Sequence, residues 1–217
     1  TKFIEAAGGK VVGSVKHPLG TTDFSSYLMQ AQASKAQAIV VLNAGLDQTN
    51  ALKQAAEFRI ARNGQAVSVF GMTINAVHAM GLDIAQGLQF TDPMYWDRTD
   101  ETRAWAKRFF ARTKKMPNSG HAGDYSAITT YLKAVKATGT DNPEKVIAWI
   151  KSNKINDVFA QGGYVRPDGR MVHDMDLVQV KSASESKQPW DYFKLVEKIP
   201  GDQAFTTKEE SKCASRK

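Results

Sequence analysis

The chain has 217 residues, 42% hydrophobic and 24% charged, a balance that suits a globular protein with apolar material for one large or two small cores. No run approaches the roughly 18 apolar residues of a membrane-spanning helix, and the opening TKFIEAAGGK lacks the order of a secretion signal, so the chain is expected to be cytosolic or already processed. A net charge of +7 raises nucleic acid as a partner, but the charge is thinly spread and no zinc-finger, RNP-like or basic-zipper pattern accompanies it, so no nucleic-acid partner is expected.

The first part of the chain alternates strand and helix. Phe3, Ile4, Ala6 and Ala7 before the pair Gly8, Gly9 read as the end of a helix whose preceding strands are missing from this chain. Residues 10–16 (KVVGSVK) read as a strand, and Thr22, Asp23, Phe24 and Ser25 offer the cap of a helix carrying Tyr27, Leu28 and Ala31. The run 38–42 (AIVVL) has the continuous apolar character of a parallel strand covered on both faces. A helix bearing Leu46, Leu52, Ala55 and Phe58 follows, and 66–70 (AVSVF) repeats the strand. This rhythm of about thirty residues per strand and helix predicts right-handed crossovers in a doubly wound α/β layer.

Beyond Gly87 the pattern changes. Residues 88–91 read as a strand and 92–97 (DPMYWD) as a connection. Thr99 and Asp100 start a basic helix that stops before Pro117; its cations Arg103, Lys107, Arg108, Arg112, Lys114 and Lys115 read as a solvated face opposite Trp105 and Phe109. A longer helix over 122–137 carries the stripe Tyr125, Ile128, Leu132 and Val135 and ends at Gly139. The run Asn142, Pro143, Glu144 then caps a helix through Ile150. Residues 162–166, a Pro-Asp-Gly turn at 167–169 and an alternating strand over 171–180 predict a β-hairpin, with a last strand over 192–196 and little order after Gly201.

In open α/β sheets ligands lie beyond the carboxyl ends of the strands, here residues 43–46 and 71–75. Each is a short glycine-containing loop before a helix whose first N–H groups suit an anion. The plainer reading is that Gly45 and Gly71 only serve the turn. The histidines lack ligand spacing, no serine sits in a nucleophile-elbow context and no phosphate-binding glycine loop occurs, so no catalytic residue, metal or cofactor is expected. A lone cysteine, Cys213, excludes an internal disulfide.

Read in order, the blocks GGKVVGSVKHPLGTTDFSSYLMQAQASKAQAIVVLNAG, NALKQAAEF, GLQFTDPMYWDRTDETRAWAKRFFAR, YSAITTYLKAVKATGTDNPEKV and RPDGRMVHDMDLVQVK resemble periplasmic binding proteins of the leucine/isoleucine/valine-binding type. The resemblance covers nearly the whole chain and looks closest to a branch whose ligands include aromatic and other organic acids. It implies a type I periplasmic-binding-protein fold, in which two parallel, doubly wound α/β lobes are joined by hinge-crossing strands and hold ligand between them, with the first lobe largely missing here. Residues 1–91 would then be most of the second lobe and 92–160 the hinge crossing and helices returning to the first. Residues 161–200 would be the hairpin and final crossing, and 201–217 a polar tail.

The resemblance also implies a site. Asn43, Ala44, Gly45 and Leu46 match a loop that supplies an apolar or aromatic wall, and Met72 adjoins Thr73, whose position often carries an acidic residue that holds a ligand ammonium. Thr73 cannot do so, and an unpaired buried ammonium costs several kcal/mol, so an acid without an α-amino group is favoured. Tyr125 matches a ligand-facing tyrosine but reads equally as a core aromatic, and Met94, Tyr95 and Trp96 could form an aromatic wall but read more readily as burying the crossing strand. The expectation is a periplasmic, non-enzymatic receptor for a small carboxylate that docks on the membrane permease of an ABC transporter. A branched-chain amino acid is the alternative ligand, and a ligand-sensing domain of a signalling protein or an α/β enzyme the alternative of another class. A disulfide from Cys213 to the absent N-terminal portion is also expected.

Overall fold

A computed structural model describes residues 1–60 and 64–211, so Cys213 and its expected disulfide lie outside the described residues. The chain divides into two compact units. The first comprises Thr1–Met72, Ala76–Phe90 and Gln179–Tyr192, and the second Thr73–Asn75, Thr91–Val178 and Phe193–Lys217.

The first unit is built on short parallel strands. Its elements run α1 (Lys2–Ala6), α2 (Ser25–Ala33), β1 (Ala38–Val41), α3 (Gly45–Glu57), β2 (Ala66–Val69), α4 (Ile74–Met80), α5 (Leu82–Ala85) and β3 (Gln89–Asp92). β1 and β2 pair in parallel from Ala38 opposite Ala66 to Val41 opposite Val69, and β2 continues in parallel to β3 with Ser68 opposite Gln89. The helices cover this layer with Leu28, Ala51, Leu52, Ala55, Val77 and Met80, all buried together with Val67, Val69 and Phe90 of the strands. The parallel layer expected from the runs at 38–42, 66–70 and 88–91 is therefore present, but β1 is not covered on both faces as expected, Val40 standing 50% exposed.

The strand expected over 10–16 is not formed. Alternating valines record which faces could be buried, but an extended segment holds only when its N–H and C=O groups are paired along a ladder. Among the described residues none ladders with it, and Val11, Val12 and Val15 stand 37%, 55% and 45% exposed. β1 is accordingly the edge of a five-stranded sheet that starts β1-β2-β3.

The second unit carries the longer helices, α6 (Asp100–Thr113), α7 (Ser119–Thr138) and α8 (Pro143–Ser152). Each starts at a side chain that takes up backbone N–H groups otherwise left without a partner. Thr99 Oγ1 accepts from Thr102 N, Asn118 Oδ1 from His121 N, and Asn142 Oδ1 from both Glu144 N and Lys145 N. His121 is thereby part of a capping box, its Nδ1 accepting from Asn118 N. Gly139 closes α7 in the left-handed region at φ 66°, where a side chain would be strained.

The strands β4 (Tyr164–Val165) and β5 (Met171–Val172) form the antiparallel hairpin expected around Pro167 to Gly169. The strand expected as one piece over 171–180 is two. β5 ends at Val172, and β6 (Met175–Val180) joins the five-stranded sheet with β7 (Phe193–Ile199). His173 and Asp174 stand at the break, with their side chains engaged away from the sheet. The His173 ring lies edge-on to Phe159 at 4.8 Å and Phe205 at 5.0 Å, while Asp174 Oδ1 accepts from Gly201 N at 3.0 Å. Gly201 opens the one-turn helix α9 (Gly201–Ala204), so order continues past the point where the sequence suggested it would fade.

Candidate ligand-binding site

In the first unit the candidate residues sit where β1 gives way to α3. Val40 and Val41 end the strand, Asn43 follows half-buried, Ala44 is extended at φ −137°, and Gly45 enters the helix at φ 59°. Only glycine takes that last angle without strain, so the turn from strand to helix is sharp and leaves Ala44, Gly45 and Leu46 exposed. Leu46 is 79% exposed, an apolar side chain with no cover of its own in this unit.

Two residues that the sequence reading did not single out fix this loop. Gln48, buried on the second turn of α3, donates through Nε2 to the Asn43 carbonyl at 3.0 Å and the Phe70 carbonyl at 2.6 Å. One amide thus ties the end of β1 to the end of β2. His17 holds the loop from outside, with Nε2 3.1 Å from Asn43 Oδ1 and Nδ1 2.8 Å from the Pro18 carbonyl. Its ring is braced edge-on by Phe24 at 4.8 Å and Tyr27 at 5.9 Å. The Pro18 carbonyl, then Asn43 and the Asp47 charge, raise the imidazole pKa above its ordinary value. Asp47 Oδ2 in turn accepts from Gly20 N at 3.1 Å, closing a second link across the same gap. No sequence signal marks these contacts, since partners 26 and 27 positions apart carry no periodicity. Met72, beyond β2, is buried with 2% of its surface exposed.

Thr73, Met94, Tyr95 and Tyr125 belong to the second unit. Thr73 is half-buried, and two residues on Asn75 donates to the Met116 carbonyl at 3.0 Å and accepts from Asn118 Nδ2 at 2.9 Å. Met94 is buried, and its N–H is donated to Asp92 Oδ1 at 2.9 Å. Tyr95 is half-buried, its ring 5.1 Å from Phe193 and 5.9 Å from Trp96. Tyr125 is 39% exposed on the first half of α7, its ring 5.5 Å from that of Trp105 on α6. These two rings, with Arg108, Thr129, Lys133 and Asn156, line a groove of about 370 Å³ within this unit. The structure therefore groups Asn43 to Leu46 at one strand end of the first unit and, within the second, Met94 with Tyr95 and Tyr125 with Trp105.

Beneath Met94 lies a buried charge cluster that the sequence did not announce. Burial lifts the Asp92 pKa to about 7, helped by the nearby Asp176 charge, against the stabilising N–H of Met94, the Ser119 hydroxyl and the Arg98 cation. Arg98 donates to the Pro93 carbonyl at 2.8 Å and reaches Asp176 Oδ2 at 3.4 Å. Arg98 and Asp176 also line a cavity of about 210 Å³ with Asp157, Asp174 and Lys198. Among the described residues no group of three or more His, Cys, Asp or Glu side chains is placed to hold a metal ion, and no helix is long and apolar enough to cross a membrane.

The fold has known counterparts. A profile of the periplasmic binding protein family matches residues 1–187. A periplasmic binding protein from Burkholderia mallei is 54% identical and superposes with a TM-score of 0.90 over 100% of this chain and 57% of its own. A branched chain amino acid ABC transporter periplasmic ligand-binding protein from Burkholderia xenovorans is 44% identical, with a TM-score of 0.91 over 100% of this chain and 58% of its own. A solute binding protein of an ABC transporter from R. palustris, solved in complex with 4-hydroxybenzoate, shares the fold at 24% identity, with a TM-score of 0.79 over 92% of this chain and 55% of its own. No curated protein matches the chain. The chain thus spans 57% and 58% of the two Burkholderia proteins. With its parallel β1-β2-β3 layer and a family match over most of its length, it belongs to the periplasmic binding protein family, with the type I fold.

Proposed function

We propose that this chain is part of an extracytoplasmic solute-binding receptor that serves the membrane permease of an ABC importer, and that its ligand is a small carboxylate, an aromatic or other organic acid. It binds the acid through Asn43, Ala44, Gly45, Leu46, Met72, Thr73, Met94, Tyr95 and Tyr125, and releases it unchanged in the periplasm.

The observation that carries the ligand class is the chemistry of the two strand-end loops. Residues 43–46 read NAGL and 71–75 read GMTIN, which offer amide and hydroxyl donors and no acidic side chain. The nearest acid, Asp47, has an oxygen engaged by Gly20 N. An α-ammonium in such surroundings lacks a counter-charge, whereas a carboxylate finds donors and apolar walls in the mixture usual for small-molecule sites. The 4-hydroxybenzoate complex on the same fold gives the same direction.

A branched-chain amino acid is the second reading, favoured by the name of the Burkholderia xenovorans protein at 44% identity. Titration calorimetry on the full-length protein with benzoates, dicarboxylates, leucine and valine separates the two. Tight binding of an aromatic or aliphatic acid with no binding of leucine or valine supports the first reading, and the reverse pattern replaces it. Recovery of the bound acid intact after prolonged incubation tests for the absence of catalysis.

A further inference from the structure

We infer that His17 is a positioning residue for ligand recognition, which holds the Asn43 side-chain amide with its oxygen toward the imidazole and its NH2 group available as a donor. The inference rests on the proposed reading of the 43–46 loop as a carboxylate site and adds what sets its polarity.

The geometry constrains where the protons are. Nδ1 of His17 lies 2.8 Å from the Pro18 carbonyl, which can only accept, so Nδ1 carries a hydrogen. Nε2 lies 3.1 Å from the Asn43 side-chain amide, with Oδ1 facing it, and an oxygen there accepts only from a protonated Nε2. Oδ1 toward the ring is therefore the orientation that suits the doubly protonated imidazole. When the ring loses a proton, Nδ1 keeps its hydrogen for Pro18 and Nε2 becomes an acceptor. The Asn43 amide then satisfies it only by turning over, presenting NH2 to the ring and its oxygen outward. Asn43 thus has two orientations of opposite polarity, and His17 selects between them.

The surroundings suit such a device. Among the described residues the Asn43 NH2 group donates to no protein atom, while the Asn43 backbone carbonyl is held by Gln48. The side chain can therefore turn without moving the loop. Phe24 and Tyr27 brace the imidazole edge-on, which keeps the ring itself from turning. Among the ionisable groups facing it, Asp47 is the acid, and its charge with the two acceptors raises the imidazole pKa and favours the donor orientation. An outward NH2 group attracts a carboxylate; an outward amide oxygen repels it. Acid binding should accordingly weaken as pH rises through the titration of His17, over a range where the ligand itself stays ionised.

The test uses 4-hydroxybenzoate and the full-length protein. Its affinity should fall about tenfold from about pH 5.5 to about pH 8, the size expected for one charge-assisted hydrogen bond. His17→Gln, whose amide does not titrate and can pair with either orientation of Asn43, should bind with a flat profile. His17→Phe, which cannot donate, should bind about tenfold more weakly at low pH, also with a flat profile. Equal slopes for all three proteins would overturn the inference while leaving the site assignment standing. A second measurement needs no ligand. In nitrogen-15 spectra of the free protein the Asn43 side-chain amide should shift together with the His17 titration. An Asn43 amide that stays fixed while His17 titrates sinks the inference by itself. Coupled titration with no acid bound at any pH sinks instead the proposed ligand class.

Discussion

Asp92 Oδ1 accepts the backbone N–H of Met94 at 2.9 Å, and the residue is 2% exposed, which places a buried carboxyl group at the end of β3. Burial lifts its pKa from 3.8 to about 7. The folded protein therefore holds this proton more tightly than the unfolded chain does. Stability attributable to Asp92 is complete below about pH 4 and is lost as pH rises to about 7, on the order of 2–4 kcal/mol across the window. Asp92→Asn keeps the acceptor for Met94 and removes the ionisation. Urea melts should show the variant close to wild type near pH 4 and more stable near pH 8.

Ser126 on α7 donates to Asp157 Oδ2 at 2.6 Å, and both side chains are buried. Asp157 Oδ1 already accepts from Phe159 N and Ala160 N, so the serine completes the carboxylate's set of donors. Ser126→Ala leaves one oxygen of a buried charge short of a partner and should cost about 1–3 kcal/mol. Thermal unfolding at neutral pH measures it, and Ser126→Thr should recover part of the loss.

The same helix shows what the sequence could and could not convey. The large apolar residues of α7, Tyr125, Ile128, Leu132 and Val135, read as a stripe whose cover lies outside this chain, and Tyr125, Ile128 and Leu132 are accordingly 39%, 61% and 57% exposed. The face that is buried, Ala122, Ser126, Thr130 and Ala134, was not read from the sequence. Small residues let the helix approach its neighbours closely, and periodicity alone does not tell a close-packed face from one with large side chains. Caps are more legible, because their chemistry is local. Thr99, Asn118 and Asn142 lie one residue before the helices they start, and the sequence named two of the three. The apolar runs of β1 and β2 were legible for a similar reason. Contacts across long separations, His17 with Asn43 and Arg98 with Asp176, left no trace.

Gly201 is buried, and a β-carbon built on it would meet the Val172 side chain and the His173 carbonyl at 2.9 Å each. The backbone carbonyl cannot step aside as the end of a flexible side chain could. Gly201→Ala should push α9 away from β5, weaken the Asp174 contact to Gly201 N, and cost about 1–3 kcal/mol. Hydrogen exchange should localise the loosening to residues 171–174 and 201–204.

Tyr125 stands in a groove with Trp105, partly exposed and, among the described residues, without a hydrogen bond from its hydroxyl that would demand a tyrosine. If it forms part of the ligand wall, Tyr125→Ala should weaken acid binding by roughly 1–3 kcal/mol, the range for burying a side chain of this size. Tyr125→Phe should keep most of that contact. A calorimetric series in which both variants bind like wild type would remove Tyr125 from the site.

On the proposed reading of the site, Thr73 sets the ligand's charge pattern. It lies half-buried just beyond β2, where its hydroxyl can donate to a carboxylate but offers no charge to an ammonium. Thr73→Glu should therefore act in opposite directions on the two ligand classes. An acid meets a like charge and loses between about 1 and about 4 kcal/mol at contact distance, depending on how much water screens the pair. Leucine or valine meets a counter-charge and gains. Thr73→Gln has nearly the same shape without the charge, so any loss it shares with Thr73→Glu is steric and only the difference between them is electrostatic. Calorimetry of all three proteins against 4-hydroxybenzoate and leucine gives the sign of that difference for each ligand. Tight leucine binding by the unmodified protein, with no binding of aromatic acids, would show that the ammonium finds its counter-charge elsewhere, and the amino-acid reading would then take the place of the carboxylate one.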